Sequence, residues 1–546
     1  MLRTPAALNP ATIALLTAAW IGTLGNWPLW RALGSLPEMS SLRGVIFVAG
    51  FVVAVIALTL ALLAVFAWRH AVKPVVALFL LAAAFGAHFM GTYGVVIDPT
   101  MMVNVLQTDV RETRDLMSWR MVVTVLLLAG VPLLALWRMR VAPLSAWRQA
   151  GRNSLALVVS LAVVVAIVFA LFADLSATMR NHKQLRYLIN PLNSFFALGV
   201  VAAQSGAKPA GPPVAIGADA RLLPRAAGAK PPLLMVVVGE TARADHFAFN
   251  GYVRPTTPEL ATRQVLSFAE VSSCGTNTAA SLPCMFSLLG RKAYEGRDRD
   301  YENVLDLLQR AGLAVLWLDN QAGCKGLCAR VPNAMASDPP AGGTSLVKDL
   351  CGTDGECLDE ALIRGLDQRL AALPADRRAK GVVLVLHQMG SHGPAYFKRS
   401  PPGRKPFQPE CKTNVLQQCD RGALINAYDN TIAYTDHVLA QAIDWLKTHS
   451  ADHAPLMLYV SDHGESLGEN NLYLHGLPYA IAPREQTHVP MIMWMPPTNP
   501  LAACLANETK KSLTHDNLSH TMLGIAGVRS SEYKAALDIT AHCAVQ

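Results

Sequence analysis

The sequence predicts a helical membrane domain followed by an α/β domain whose central sheet is mostly parallel. The first two hundred residues carry long apolar stretches, and the 546-residue chain as a whole is 52% hydrophobic and only 16% charged. After residue 230, short β-type runs alternate with helical stretches, as in sheets that helices cover on both faces. All ten cysteines lie after residue 270. A chain of this length is expected to hold two domains.

The membrane domain is predicted from five apolar stretches, each long enough to cross about 30 Å of hydrocarbon. They lie at residues 11–30, 45–68, 74–97, 121–137 and 153–173. The first is not expected to be a cleaved signal peptide, because no small-residue cleavage site follows it and its end carries Trp27 and Trp30. The spans contain one internal ionisable side chain, His88, which argues against a transporter with a charged pathway.

The orientation follows from two basic connections, after the second and fourth stretches, that contain no acidic residue. Their basic residues are Arg69, His70, Lys73, Arg138, Arg140, Arg148 and Arg152. By the positive-inside rule both connections face the cytoplasm, so five spans leave the N-terminus inside and everything after residue 174 outside. The net charge of +8 does not indicate nucleic-acid binding, because no basic run is interleaved with aromatic residues.

The cysteines independently predict an oxidising compartment for the second domain. An even number in close pairs is typical of disulfides, whereas spacings of ten, four, six and eight do not repeat a zinc-knuckle motif. Sequential pairing is expected, with a structural zinc site as the alternative. The pairs would be Cys274–Cys284, Cys324–Cys328, Cys351–Cys357, Cys411–Cys419 and Cys504–Cys543.

Three further segments complete the predicted organisation. Residues 98–114 mix polar and apolar side chains at helical spacing, which indicates a short interfacial helix or a solvated connector. Residues 176–200 form a basic amphipathic segment expected on the membrane surface, and residues 203–230, rich in Ala, Gly and Pro, a flexible linker. The predicted domains are therefore a membrane domain at 1–174, a bridging helix and linker at 175–230, and a catalytic domain at 231–546.

The second domain carries candidate metal ligands where its predicted strands end. Strands are expected at 233–238, 314–318, 382–387, 456–460 and 489–495, and helices near 302–311, 358–373 and 423–447. In parallel sheets, active sites collect beyond the carboxyl ends of the strands. Three of these ends carry carboxylates or imidazoles, namely Glu240, His387, His392, Asp462, His463 and His475. Each alone is typical of a helix cap or a satisfied turn, but together they predict a metal site, with Zn²⁺ preferred and Mn²⁺ also compatible.

Thr278 is the candidate nucleophile. It lies between Cys274 and Cys284, just before a helix expected to start near Ala279, so a helix N-cap is the ordinary interpretation. A threonine hydroxyl is too weak an acid to react at neutral pH unless a metal and a helix N-terminus favour the alkoxide.

Four motifs carry a family resemblance. They are GETAR (239–243), SCGTNTAASLPCMF (273–286), HQMGSHGPAY (387–396) and SDHGES (461–466). Together they closely resemble the phosphoethanolamine transferases of Gram-negative bacteria, which include lipid A enzymes and mobile colistin resistance enzymes. That family belongs to the alkaline phosphatase/sulfatase superfamily, and the resemblance covers essentially the whole chain.

The resemblance implies roles for individual positions. Glu240, Thr278, Asp462 and His463 match the zinc ligands, and Thr278 also matches the nucleophile. Lys325, His392 and His475 match residues that contact the phosphoethanolamine or a second metal, and His392 or His475 is expected to protonate the leaving group. Asn104 and Glu112 match outer-loop positions linked to head-group binding. One Zn²⁺ is expected to bind tightly, with room for a second ion during turnover.

The activity implied is a two-step exchange in the inner membrane, with the catalytic domain in the periplasm. Thr278 would take phosphoethanolamine from phosphatidylethanolamine, release diacylglycerol, and pass the group to a phosphate of lipid A, which would confer polymyxin and colistin resistance. Alternatives are transfer to a lipopolysaccharide core sugar, phosphoglycerol transfer or, outside enzymes, a transporter or sensor. A monomer is expected.

Overall fold

The computed structural model describes residues 7–108, 110–207, 211–340, 346–352 and 355–543. The chain divides into two compact units. The helical unit comprises the described residues of Met1–Met102 and Met117–Ala203, and the sheet unit those of Val103–Leu116 and Gln204–Gln546. The domain limits expected at residues 174 and 230 stay a prediction.

The helical unit is built from apolar helices that begin at polar caps. The side chains of Asn9, Ser41 and Ser118 each accept a bond from a backbone N–H in the first turn of the helix that follows. The helices are Pro10–Thr23, Trp27–Gly34, Leu42–Val65, Val72–Tyr93, Pro99–Gln107, Trp119–Val125, Val131–Arg138, Ala146–Ala170, Phe172–Asn181 and Leu192–Ala207, and a π-helical turn, Leu126–Gly130, joins the sixth to the seventh. The helix Pro99–Gln107 crosses the boundary between the two units.

The prediction of five spanning helices is corrected to four. Among the described residues, Leu42–Val65, Val72–Tyr93, Trp119–Arg138 and Ala146–Ala170 are long and apolar enough to cross a membrane. The first apolar stretch is broken, because the helix Pro10–Thr23 ends at a 3₁₀ turn, Leu24–Asn26. The buried Asn26 amide donates to the carbonyls of Ile21 and Asn190 there. The fourteen residues of the helix Pro10–Thr23 extend only about 21 Å, which is shorter than the roughly 30 Å of hydrocarbon that a spanning helix must cross.

The break does not change the prediction that the residues after 174 lie on the outer side of the membrane. Lys73 Nζ, in the first basic connection, donates to the Met139 carbonyl of the second at 2.8 Å, so both connections lie at the same end of the helical unit. With that end in the cytoplasm, the helix Ala146–Ala170 leads outward. The outward direction therefore rests on four spans and two basic connections alone.

The sheet unit is organised around eight strands. In chain order they are β1 (Pro232–Gly239), β2 (Leu266–Ser272), β3 (Ala314–Asp319), β4 (Asn333–Met335), β5 (Val382–His387), β6 (Ala454–Ser461), β7 (His488–Trp494) and β8 (Ser512–Thr514). Their order across the sheet is β8-β2-β7-β6-β1-β5-β3-β4. Only β7 runs against its neighbours within the described sheet, which is therefore mixed but mostly parallel.

All five predicted strands are confirmed, and three were missed. The apolar runs at β1, β3, β5, β6 and β7 are almost wholly buried, which is why they could be recognised. In contrast, β4 and β8 have three residues each and lie at the two edges, and β2 buries only Phe268 and Val271 of its seven residues.

Helices cover this sheet, and two of the three predicted ones are found as single helices. They are Val304–Arg310 and Arg421–Thr448. The stretch expected at 358–373 is instead a 3₁₀ turn, Asp359–Leu362, and a short helix, Leu366–Ala371, because Gly365 has a left-handed φ of +77°. The remaining α-helices are Val110–Leu116, Pro258–Ala261, Thr278–Met285, Arg291–Glu295, Ala375–Arg378, Arg484–Thr487, Pro500–Ala506 and Asp516–Ile525.

The linker predicted at 203–230 is only partly free coil. Residues 203–207 continue the helix Leu192–Ala207, residues 208–210 lie outside the described residues, and residues 211–230 contact the sheet unit. The short strand Arg221–Leu222 pairs with Val528–Arg529, and Val214 forms a bridge with Tyr301. Arg225 also donates to the Lys380 carbonyl. Extended backbone next to a sheet domain can satisfy its polar groups in this way.

The five sequential disulfides are confirmed. All ten cysteines are paired as expected, including Cys504 with Cys543 across 39 residues. Thiolate ligands for a structural zinc ion are therefore not available.

Candidate active site

The centre of the site is formed where the neighbouring strands β1 and β6 end. These strands are parallel and in register, with Gly239 opposite Ser461. The next residues, Glu240 and Asp462, therefore leave the sheet side by side, and His463 follows directly. The three side chains are fully buried, and one ligand atom from each lies within 4.8 Å of the others.

Thr278 lies against this group. Its Oγ1 is 3.1 and 3.3 Å from the two carboxylate oxygens of Glu240 and 3.4 Å from His463 Nε2. The helix Thr278–Met285 is capped by Asn277, whose side chain accepts the Ala280 N–H at 2.9 Å. The ordinary interpretation of Thr278 as a helix N-cap is thus wrong, because Asn277 has that role and the threonine hydroxyl is left for the cluster.

The charges in this cluster depend on one another. Burial, the largest single influence, would raise the pKa of the Glu240 carboxyl. The bond and the charge of His463, together with the charges of His392 and His475, outweigh burial and hold this pKa well below the usual range. Burial and then the Glu240 charge raise the pKa of Asp462. Burial opposes a proton on His463, but Asp462 and Glu240 outweigh it and raise the pKa of the imidazole to about 10. The two buried carboxylates therefore require positive charge beside them.

The cluster fits a divalent metal ion. Asp462 Oδ2 is buried and, among the described residues, has no hydrogen-bond partner, although His463 Nε2 lies 3.4 Å away. Two carboxylates, an imidazole and a hydroxyl form a donor set that suits Zn²⁺, and the cation would supply the charge that the carboxylates require. Glu240, Asp462, His463 and Thr278 are the residues able to hold it.

A second row of imidazoles extends from the cluster. The His475 ring lies 4.3 Å from the His463 ring and 6.3 Å from the His392 ring, measured between centroids. His392 Nε2 in turn lies 3.6 Å from a Glu112 carboxylate oxygen. Burial opposes a proton on His392, but the bond and the charge of Glu112, together with the charge of Glu240, outweigh burial and raise the pKa of His392. The structure thus brings Glu112, His392 and His475 next to the cluster, and the roles expected of them in substrate contact and proton transfer stay predictions.

Lys325 and Asn104 are not brought onto the cluster by the contacts of the described residues. Lys325 is half-buried in the loop after β3, with a left-handed φ of +49° and a long contact to the Ala322 carbonyl. Asn104 lies in the helix Pro99–Gln107, where its carbonyl accepts the Thr108 hydroxyl. Their roles in substrate binding stay predictions.

Sequence reasoning missed Gln321, which donates to Glu240 Oε2 at 3.1 Å. It follows β3, whose own end carries Asp319, and Asp319 accepts from His387 at 2.9 Å. His387 Nε2 is buried without a hydrogen-bond partner among the described residues, but the candidate metal group consists of Glu240, Asp462 and His463 and does not include His387. The end of β3 was a detectable signal, since the same rule of strand ends located the other residues.

His515 is a second missed residue. The Cys274 N–H donates to its Nδ1 at 3.0 Å, and its Nε2 lies 3.0 Å from the Ser461 carbonyl. Burial lowers the pKa of His515 to about 3, so the ring is neutral, with its hydrogen on Nε2. It ties the loop before Thr278 to the strand end before Asp462. A lone histidine far along the sequence carries no pattern that could have revealed this.

The fold and the site define an enzyme of the alkaline phosphatase and sulfatase class. The family model described as Sulfatase matches residues 232–528, which include the whole sheet and the cluster around Thr278. A second model, described as Phosphoethanolamine transferase EptA/EptB, matches residues 55–205.

Individual relatives match nearly the full length. Phosphoethanolamine transferase EptA of Salmonella typhimurium is 40% identical over 527 residues, or 94% of this chain and 93% of the relative. Phosphatidylethanolamine transferase Mcr-1 of Escherichia coli is 41% identical over 474 residues, or 86% of each. The structure of the integral membrane lipooligosaccharide phosphoethanolamine transferase A from Neisseria meningitidis superposes with a TM-score of 0.91 at 32% identity, covering 98% of this chain and 99% of that one.

The chain belongs to the phosphoethanolamine transferase family. Like the EptA proteins, it is an inner-membrane protein whose catalytic domain lies in the periplasm. The four spanning helices and the five disulfides agree with that location.

Proposed function

We propose that this enzyme transfers phosphoethanolamine from phosphatidylethanolamine to a phosphate of lipid A through a covalent intermediate on Thr278. The observation that carries the proposal is the position of Thr278, a residue only 4% exposed at the start of a helix, whose hydroxyl lies within 3.4 Å of Glu240 and His463. A threonine needs such an environment to act as a nucleophile.

In the first step the Thr278 oxygen attacks the phosphorus of the donor lipid. A bond forms between that oxygen and phosphorus, the bond from phosphorus to the diacylglycerol oxygen breaks, and diacylglycerol takes up a proton as it leaves. In the second step an oxygen of the acceptor phosphate attacks and forms a bond to the same phosphorus. The bond from phosphorus to the Thr278 oxygen breaks, and that oxygen takes up a proton to regenerate the hydroxyl. A covalent intermediate lets one pocket serve two lipids in turn.

Zn²⁺ held by Glu240, Thr278, Asp462 and His463 would supply Lewis-acid stabilisation of negative charge on the nucleophile and the phosphoryl oxygens. The chain's own contribution is to keep these side chains buried and to hold Glu240 beside Asp462 at the ends of two paired strands. Gln321 orients the Glu240 carboxylate by its amide hydrogen bond. We expect a chelator to abolish transfer and added Zn²⁺ to restore it, with metal content measured in parallel.

The imidazoles next to the cluster are placed for proton transfer and head-group contact. His475 and His392 are the candidates to protonate the leaving diacylglycerol oxygen, because their rings lie close to the cluster. The His475 ring is next to His463, and the His392 ring is next to His475. The Glu112 carboxylate beside His392 offers the negative charge that an ethanolammonium group requires. Asn104 and Lys325 are proposed to contact the same head group, and a second metal ion at the imidazoles during turnover is part of the proposal.

Lipid A is the preferred acceptor. The Neisseria relative is described as acting on lipooligosaccharide, and it aligns over nearly the whole chain. A relative described as Kdo(2)-lipid A phosphoethanolamine 7''-transferase, from Escherichia coli, is only 25% identical, which disfavours transfer to a core sugar. Addition of a cationic amine to lipid A would reduce its anionic charge and weaken polymyxin and colistin binding.

The test is transfer by the purified full-length enzyme, expected to act as a monomer, with phosphatidylethanolamine and lipid A in mixed micelles. We expect mass spectrometry to find one phosphoethanolamine on a lipid A phosphate and an equal amount of diacylglycerol. Phosphatidylglycerol as donor and lipopolysaccharide core oligosaccharide as acceptor are run in parallel. Modification of the sugar, or transfer from phosphatidylglycerol alone, would replace the proposal by the corresponding alternative.

A further inference from the structure

The outer-loop segment Val103–Leu116 belongs to the sheet unit, although in the sequence it lies between helices of the helical unit. Its second helix, Val110–Leu116, makes the relevant contacts. Arg111 donates to the Gly355 carbonyl at 2.9 Å, and the Asn414 amide donates to the Asp115 carbonyl at 2.7 Å. The segment is therefore held by the sheet unit from several directions.

Arg399 is the centre of these contacts. Its Nη2 donates to Asp115 Oδ2 at 2.7 Å, its Nη1 to Glu356 Oε2 at 2.8 Å, and its Nε to the His392 carbonyl at 2.9 Å. The Arg399 and Asp115 side chains are each only 3% exposed. Lys398 also pairs with Asp115. One buried guanidinium thus connects the outer-loop helix directly to the backbone of His392.

Two disulfide loops form the other walls of this arrangement. Gly355 and Glu356 lie between Cys351 and Cys357, and Asn414 lies between Cys411 and Cys419. We call Gly355, Glu356, Lys398, Arg399 and Asn414 the loop dock. A disulfide restricts the conformations of the short loop that it closes, so Gly355, Glu356 and Asn414 have fewer alternatives open to them before the helix contacts them.

The loop dock fixes the position of Glu112 because Glu112 and Asp115 lie on the same short helix. Glu112 and Asp115 are three residues apart, so their side chains lie on the same helix face. When Asp115 is fixed by Arg399, the Glu112 carboxylate is directed to His392, whose own backbone the same guanidinium holds. A buried ion pair adds little net stability because of its desolvation cost, but it does define one geometry.

We propose that Asp115 and Arg399 are positioning residues that present Glu112 to His392, and so set the enzyme's affinity for the ammonium end of its donor lipid. The proposal rests on the proposed function, because it assigns the Glu112 carboxylate to the ethanolamine group. Arg399 and Asp115 touch neither the nucleophile nor the candidate metal ligands in any contact of the described residues.

The test is a double-mutant cycle on the full-length enzyme, with KM and kcat measured for phosphatidylethanolamine in mixed micelles. D115N and R399K are each expected to raise KM about tenfold with kcat changed much less. The R399K variant keeps the positive charge but cannot form all three bonds of Arg399, to Asp115, Glu356 and the His392 carbonyl. It therefore tests the proposal even if D115N does not fold. E112Q should also raise KM, and D115N/E112Q should be no worse than E112Q alone, because Asp115 acts through Glu112.

Amide hydrogen exchange gives a readout that is independent of turnover. D115N and R399K should lose protection in residues 110–116, whereas E112Q should keep it. The matched control is E410Q, which breaks another buried pair of the sheet unit, Lys405–Glu410 at 2.9 Å, and should leave KM and this protection at wild-type values.

The proposal is overturned if D115N and R399K keep the wild-type KM, or if the effects of D115N and E112Q on KM multiply. It is also overturned if both dock variants keep full protection of residues 110–116. A wild-type enzyme that transfers nothing from phosphatidylethanolamine would overturn the proposed function, and with it the role of Glu112, while the exchange data would still decide whether the dock holds the helix.

Discussion

Removal of the disulfide around Thr278, the proposed nucleophile, should separate stability from activity. Cys274 and Cys284 close a loop of ten residues that contains Thr278, and loop-closure entropy assigns this disulfide about 2.7 kcal/mol. Cys504 and Cys543 close 39 residues, for which the same relation gives about 3.9 kcal/mol. C504A/C543A should therefore be the less stable variant. C274A/C284A should be the less active, because a nucleophile displaced by about 1 Å loses roughly a hundredfold in rate.

The assay is kcat for phosphoethanolamine transfer per folded molecule, with thermal unfolding of each variant in the same detergent. The expected result is a lower unfolding midpoint for C504A/C543A with near wild-type kcat, and a kcat about a hundredfold lower for C274A/C284A. If C274A/C284A keeps its kcat within twofold, or if both variants lose activity in step with their stability, the disulfide does not position Thr278.

Three further predictions address the site and its surroundings. T278V, which keeps the shape of the side chain but removes the hydroxyl, should lose transfer by at least about a thousandfold, whereas T278S should keep part of it; equal activity in both would contradict a hydroxyl nucleophile. H515A should lower kcat, and should lower stability by about 1–3 kcal/mol because it leaves the Cys274 N–H and the Ser461 carbonyl unpaired. H515Q can both donate and accept a hydrogen bond, so it should recover much of the stability and much of the kcat. Equal stability and kcat in the two variants would refute the bridging role of His515. The Glu112–His392 pair should stabilise the fold most between about pH 4.5 and 6.5, because the pKa of Glu112 is lowered and that of His392 is raised. The thermal unfolding midpoint of the wild type should exceed that of E112Q in this range. The difference should shrink as pH rises through the folded pKa of His392 or falls through that of Glu112, and a difference independent of pH would contradict the prediction.

The cluster could be predicted because its residues obey a rule of position. Glu240, Asp462 and His463 follow buried apolar strands, and such strands are visible in the sequence as short runs without charge. Their convergence then follows from parallel neighbours in register. The direction of β7 could not be obtained this way, since a buried strand has the same composition whichever way it runs.

The residues that were missed depend on contacts between distant parts of the chain. His515 reaches Cys274 across 241 positions, and Arg399 reaches Asp115 across 284. Neither contact leaves a local pattern. The break at residues 24–26 has a similar cause, because Asn26 finds its partner at Asn190. Hydropathy alone therefore counted one span too many, while the cysteine spacing gave every pair, since four of the five loops are short.

The central claim is a covalent phosphoethanolamine group on Thr278. The most direct measurement is the mass of the intact enzyme and of its Thr278 peptide after incubation with phosphatidylethanolamine and no acceptor, with T278V treated in parallel. We expect one added phosphoethanolamine on that peptide, absent from T278V and removed when lipid A is added. An unmodified peptide from an enzyme that still releases diacylglycerol would contradict the account, because the group would then pass to water or acceptor without Thr278.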